Sequence, residues 1–246
     1  MRSPAPAGIM AARAEAPVAS DRPARPPAGS AVARLIDRRY ADPLDLVWLH
    51  AVARLGWRVE RSPEVFASWD GERTLTISTN DDLDPDDSLA QLLFHELCHA
   101  LVEAAATEDA ALARPDWGLN NRDDRHLHHE HACHRVQAAL AGAHGLRRFL
   151  APTTDHRPYY DGLPDDPLHG PDDDPAVAAA RAGHARAKRA PFAAVLEEAL
   201  GATAALARLV APVAPAGSLW RDASLDPAPP PTDHPAPAPT GQRSDP

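Results

Sequence analysis

The hydrophobic pattern changes period several times along the chain, and each change marks a predicted element. From Ser30 to Tyr40 a short apolar-periodic stretch (Val32, Leu35, Ile36) predicts a helix. A second helix is predicted in "DPLDLVWLHAVARLG". There Asp42 is a natural N-cap, Pro43 suits the first helical position and Gly56 suits the C-terminal stop. Leu44, Val47, Leu49, Val52 and Leu55 supply its apolar face. The period then shortens. "WRVERSPEVFASWDGERTLTIST", residues 57–79, contains β-branched and aromatic residues, and Asp70-Gly71 separates two candidate strands as a hairpin turn does. In "RTLTIST", Leu75 and Ile77 alternate with Thr74, Thr76 and Ser78, the pattern of a half-buried strand. Helical periodicity returns in "LDPDDSLAQLLFHELCHALVEAAA". Asp84 is the expected cap, Pro85 follows, Asp86 and Asp87 suit the positive end of the helix dipole, and Leu89, Leu93, Leu97 and Leu101 form an i, i+4 row for the core. A loop around "RPDWGLNNRDD" leads into another helix, "RHLHHEHACHRVQAALAGAHG", expected to end near Gly145. After a long irregular stretch, two Ala-rich helices are expected at about 175–189 and 192–211.

These elements predict an α+β fold, mostly helical, with a small antiparallel sheet packed on the helix that carries "LLFHELCHAL". Composition then limits how much of the 246 residues folds. Residues 1–30 are mainly Pro, Ala and Arg, and residues 221–246 become Pro-rich from Asp226 onward. Both are expected to be disordered tails, because neither can bury enough apolar surface to offset the entropy of ordering. That leaves 31–220 as a single domain, with a core at about 42–150 and the C-terminal helices at about 175–211. The net charge of -10 argues against a nucleic-acid partner, and the basic "RAGHARAKRA" (181–190) reads as one solvated helix face. No run of roughly 18 apolar residues suggests a membrane span, and prolines interrupt any signal-peptide core. Two cysteines, Cys98 and Cys133, make no disulfide framework, so a cytoplasmic protein is expected.

The chemistry lies in His95-Glu96-Leu97-Cys98-His99, an H-E-x-x-H pattern. Residues four apart on a helix share a face, so His95 and His99 are expected to reach one cation, with ligand bonds of about 2.0–2.1 Å for zinc. Glu96, next to that face, is the expected general base for an activated water. A catalytic zinc needs a third protein ligand. The His-rich helix supplies candidates at i, i+4 and i+8: His126, Glu130 and His134, with Glu130 preferred. His128, His129 and His131 are read mainly as a polar helix face, one or two of them supporting the ligands or the oxyanion. Asp123 and Asp124 are read either as such supports or as capping acids. Cys98 and Cys133 are read first as small buried hydrophobes, with thiolate coordination or a redox pair as the alternative. Trp57, Trp69 and Trp117 are candidates for a cleft or for the core.

H-E-L-C-H followed about thirty residues later by a Glu-bearing helix resembles the gluzincin-type metallopeptidases. The order helix, hairpin, HExxH helix and Glu helix looks like their small ImmA/IrrE-like members over roughly residues 42–150. Cys133 stands where that group carries Ala, and no helix-turn-helix domain accompanies the motif. The resemblance implies a minimal zincin-like domain, His95, His99 and Glu130 as ligands, Glu96 as general base, and "TLTIST" as an edge strand for peptide β-addition. "HELCHAL…PDWGLNNRDD…HHEHACHRVQAAL" is also similar to the elongation factor P hydroxylases, with Asp116-Trp117-Gly118 and Arg122-Asp123 in the corresponding places. That likeness implies Fe2+ and oxygen. Three functions are therefore expected in competition: a zinc-dependent peptidase acting on a peptide or protein substrate, a non-haem iron protein hydroxylase, and a non-catalytic metal-stabilised interaction domain.

Overall fold

Helix α1 (Pro43–Arg54) begins and ends on the residues expected of it. Asp42 accepts a hydrogen bond from Leu44 N at 2.8 Å, Pro43 occupies the first turn, and Gly56 adopts φ +75° beyond the last turn. Its buried face is Leu44, Trp48, Ala51, Val52 and Leu55; Leu49, expected in that face, points to solvent. The computed structural model describes residues 37–103 and 124–223. Asp37–Tyr40 has neither helix nor strand, so the helix expected over 30–40 does not extend through it. The rest of that stretch lies outside the described residues. So do residues 1–30 and 224–246 and the loop with Asp116, Trp117, Gly118, Arg122 and Asp123.

Strands β1 (Arg58–Arg61), β2 (Ala67–Trp69) and β3 (Thr74–Ile77) form one sheet in the order β1-β3-β2. The expected hairpin is present: β2 and β3 pair antiparallel around Gly71, whose φ of +81° suits glycine. The sheet is mixed, however, and not antiparallel throughout, because β3 also pairs parallel with β1. The chain lays β2 down at a distance from β1, and the hairpin returns β3 into the gap. Leu75 and Ile77 are accordingly fully buried, and "TLTI" is hydrogen-bonded on both sides. It is therefore not the edge strand expected above. The edges are β1, which lies on α1, and β2, which lies on α2.

Helix α2 (Leu89–Glu103) starts one turn later than expected. Asp84 closes a tight turn with Asp87 and does not cap the helix. Ser88 does: its Oγ accepts from Gln91 N at 3.2 Å and donates to Gln91 Oε1 at 2.8 Å. Thirteen of its residues are buried, since β2, β3, α1, α3 and α5 surround it. Helix α3 (Asp124–Gly142) packs along it, and Gly145 (φ +70°) ends the turn that follows. Beyond the short α4 (Arg157–Asp161), helices α5 (Pro175–Ala187) and α6 (Phe192–Val210) match the two Ala-rich segments. The basic α5 packs through Ala176, Ala180, Gly183 and Ala187. A Cβ at Gly183 would sit 3.3 Å from both Leu101 O and Val102 Cα, so glycine lets α5 rest on the last turns of α2. Helix α6 closes the core against α1, where Trp48 Nε1 donates to Thr203 Oγ1 at 3.1 Å. A last turn of helix, α7 (Leu219–Asp222), carries Trp220 onto Phe149. The fold is thus mostly helical α+β. Among the described residues no helix is long and apolar enough to cross a membrane.

Candidate metal centre

Helices α2 and α3 bring the H-E-x-x-H residues and Glu130 together in a largely buried cluster. The ring nitrogens His95 Nε2 and His99 Nε2 are 3.0 Å apart. Glu130 faces both: its Oε1 is 3.4 Å from His95 Nε2 and its Oε2 is 3.3 Å from His99 Nε2. Donors at about 2.0–2.1 Å from a tetrahedral zinc lie about 3.4 Å from one another, so these separations suit one small cation. The side chain of His95 is 18% exposed and those of His99 and Glu130 are 5% and 9%, so the cluster opens toward solvent on the His95 side.

The neighbours of the two imidazoles decide which way their lone pairs face. Gln137 Nε2 donates to Leu150 O at 2.6 Å, which turns Gln137 Oε1 toward His95 Nδ1 at 3.0 Å. An amide oxygen only accepts, so His95 carries its proton on Nδ1 and presents a bare Nε2. His99 Nδ1 lies 2.8 Å from Glu103 Oε1, and the same reasoning puts the proton of a neutral His99 on Nδ1 and the lone pair on Nε2. Two lone pairs and a carboxylate therefore converge on one spot. That arrangement is repulsive unless a cation sits there, either protons or a metal ion.

The titration behaviour follows from this crowding. Burial would lower the pKa of His95, but the Glu130 carboxylate outweighs it and the result is raised. For His99, contacts with Cys133, Glu103 and Glu130 overcome burial and hold the pKa well above the ordinary value. Burial would raise Glu130, yet His95, His134 and His99 pull it well below the ordinary carboxylate range. Burial raises Glu96, which belongs to a compact group with His95 and His99.

The expected ligands His95, His99 and Glu130 and the expected base Glu96 are thus brought together. The alternative ligand His134 is brought in as well, with a ring nitrogen within reach of the same ion as His95 and Glu130. It is fully buried, with Nε2 3.0 Å from Glu130 Oε1, in a group with His95 and Glu130. Burial lowers its pKa to about 4, so it is neutral. The side chains of the other alternative, His126, and of Asp124 lie outside the described residues. His128 and His129 are half-buried with their rings in tilted contact, and His131 stacks on Tyr159 at 3.6 Å between ring centroids.

Both cysteines are free and buried, and burial pushes the Cys133 thiol up to about 12 and Cys98 well above its ordinary value. Neither is a thiolate at neutral pH. Trp57 stacks on Trp69 and meets Phe192 edge-on, which is core packing and not a cleft. Gln137 and Glu103 were not anticipated. Glu103 had a signal, since it extends the series 95, 99, 103 on one helix face. Gln137 had none before its helix was placed. A cavity of about 450 Å³ near the start of α1, lined by Asp42, Asp45, Asp84 and Asp87 among others, includes no member of this cluster.

Compared with known proteins, the chain matches no protein-family model, no curated protein and no solved structure.

Proposed function

We propose that the protein is a zinc-dependent hydrolase, acting on peptide bonds, with His95, His99 and Glu130 as ligands and Glu96 as general base. The observation that carries this reading is the converging pair of Nε2 atoms, 3.0 Å apart and both faced by Glu130, with the buried Glu96 in the same compact group. When bound, the ion supplies Lewis acidity, which makes a water nucleophilic near neutral pH and polarises a substrate carbonyl. Glu96 takes the proton of the attacking water on a carboxylate oxygen and passes it to the leaving nitrogen. Gln137 holds His95 in place through the reaction, and the neutral His134 ring lies against Glu130. The edge of β2 beside α2 is the available site for an extended substrate strand.

The test is cleavage of a defined peptide mixture by the zinc-loaded full-length protein, with new termini read by mass spectrometry. Glu96→Gln is expected to keep one zinc and lose about 10²–10⁴-fold in rate. Equal cleavage by the two proteins would overturn the mechanism. The two-histidine, one-carboxylate set also suits Fe2+. Iron in protein purified without added metal, together with oxygen uptake, would replace the hydrolase by the hydroxylase reading. Zinc binding with no Glu96-dependent activity would favour the metal-stabilised interaction domain.

A further inference from the structure

Behind the metal-facing cluster lies a group that the proposed chemistry does not use: His99, Glu103 and Cys133, all buried. Glu103 sits one helical turn beyond His99, and its Oε1 is 2.8 Å from His99 Nδ1. Cys133, arriving from α3, places Sγ 3.1 Å from the same nitrogen. The other oxygen of Glu103, Oε2, is buried with no hydrogen-bond partner among the described residues. Burying a carboxylate in this state is unfavourable unless positive charge compensates it nearby. The group it touches is His99, whose far nitrogen faces the cation position.

We propose that Glu103 is a positioning residue of the metal centre, acting through His99: its carboxylate holds the Nδ1 proton, with Cys133 beside it, and so fixes the tautomer and ring orientation that aim Nε2 at Glu130. This rests on the metal-centre reading above. A neutral imidazole has one N–H, and a carboxylate can only accept, so the pairing leaves the lone pair on Nε2. A half-turn of the ring would exchange Nδ1 with carbon Cδ2 and Nε2 with carbon Cε1. It would lose the contacts to both Glu103 and Cys133 and aim no donor atom at the ion. The carboxylate also makes Nε2 more basic, and with Glu130 it supplies two negative charges, matching a divalent cation. A second ion held by His99, Glu103 and Cys133 would need Nδ1 stripped of its proton. With that proton held by Glu103 Oε1 at 2.8 Å, one ion is expected.

Zinc competition with a chromophoric chelator, visible spectra of the cobalt(II) form, and ¹⁵N side-chain spectra of the histidines in the zinc-loaded full-length protein test this. The wild type is expected to bind one equivalent of zinc and show His99 protonated on Nδ1. Glu103→Ala should bind zinc about 10–100-fold more weakly, lose the hydrogen-bonded Nδ1 signal and shift the cobalt bands. Glu103→Gln, which keeps an acceptor without the charge, should recover part of the affinity, and Cys133→Ala should lose less than Glu103→Ala. The proposal is overturned by wild-type affinity and an unchanged cobalt spectrum in Glu103→Ala. It is also overturned by a second zinc that Cys133→Ala abolishes. If Glu103→Ala does not fold, Glu103→Gln and the wild-type tautomer decide: an Nδ1 without a proton on His99 overturns it. A wild-type protein that binds no metal at all would instead overturn the metal centre itself.

Discussion

Zinc uptake by this cluster should depend steeply on pH, with a slope that counts the histidines that bind. The perturbation is a zinc titration repeated from pH 8 down to pH 5.5 at constant ionic strength. In the metal-free protein Glu130 draws protons onto His95, and Glu130, Glu103 and Cys133 favour the protonated form of His99, so both pKa values are raised. Glu130 is already ionised across this range because its own pKa is held well below normal, so it releases nothing. His134, lowered to about 4, is neutral throughout and also releases nothing. Zinc must therefore displace two protons at the acid end. The apparent binding constant should fall by up to about 100-fold per pH unit, since each displaced proton contributes about tenfold.

The same shifts give the metal-free protein the opposite trend. A histidine whose folded pKa is raised contributes stability that is full below its ordinary value of 6.5 and is lost as pH climbs through the folded value. Each proton held only by the folded chain removes about 1.4 kcal/mol per pH unit across that window. Burial raises Glu96 and Glu103 as well, so they act in the same direction from their ordinary value of 4.5 upward. Chelated protein should thus become less stable above pH 6.5, while excess zinc should restore it increasingly. Competition titrations and thermal unfolding with and without zinc measure both trends. A limiting slope of one or less would mean that His95 and His99 do not bind zinc together, which would refute the ligand assignment.

Two further substitutions probe the frame around the site. Gln137→Leu removes the acceptor at His95 Nδ1 and the donor to Leu150 O, so zinc should bind about 10–100-fold more weakly; unchanged affinity in a competition assay would show that Gln137 does not orient His95. Thr203→Val leaves Trp48 Nε1 buried without its acceptor and should cost about 1–3 kcal/mol in denaturant unfolding. Adding Trp48→Phe should then cost less than it does alone, and strict additivity of the two would argue against the bond.

Local chemistry was legible where the signal lay within one turn of chain. Asp42, Pro43 and Gly56 bound α1 as read, and Asp70-Gly71 makes the hairpin. The misses come from events between segments. The strand at 74–77 reads as half-buried and alternating, but nothing local says that it will slip between β1 and β2, which removes it from the edge. The acidic run from Asp84 offered two capping schemes, and the one using Ser88 and Gln91 won because it satisfies donors on both residues. At the site, H-E-x-x-H is evident from spacing, and so is a second helix offering His126, Glu130 and His134 at i, i+4 and i+8. The roles within "HHEHACH" are not, because spacing cannot tell a ligand from the group behind it. His134 and Glu130 lie on one face, and only the arrival of α2 makes Glu130 the member that meets two Nε2 atoms.

That arrival has a consequence for how the centre is kept in shape. Glu130, Cys133, His134 and Gln137 all project from α3, so one helix supplies a candidate ligand together with contacts to His95, His99 and Glu130 itself. Sliding α3 by one residue, about 1.5 Å, would break every one of these contacts at once. The far side of α3 opposes such a slide. Arg135 donates to Tyr159 Oη at 2.8 Å and to the carbonyls of Pro167 and His169, tying the helix to the chain that leads into α5. Helix α5 in turn seats on α2 where Gly183 admits it. The register of α2 against α3 is therefore held by packing outside the cluster. An ion bound by His95 and His99 from α2 and Glu130 from α3 would add to that hold, so metal binding is expected to stabilise the docking of α3 on α2.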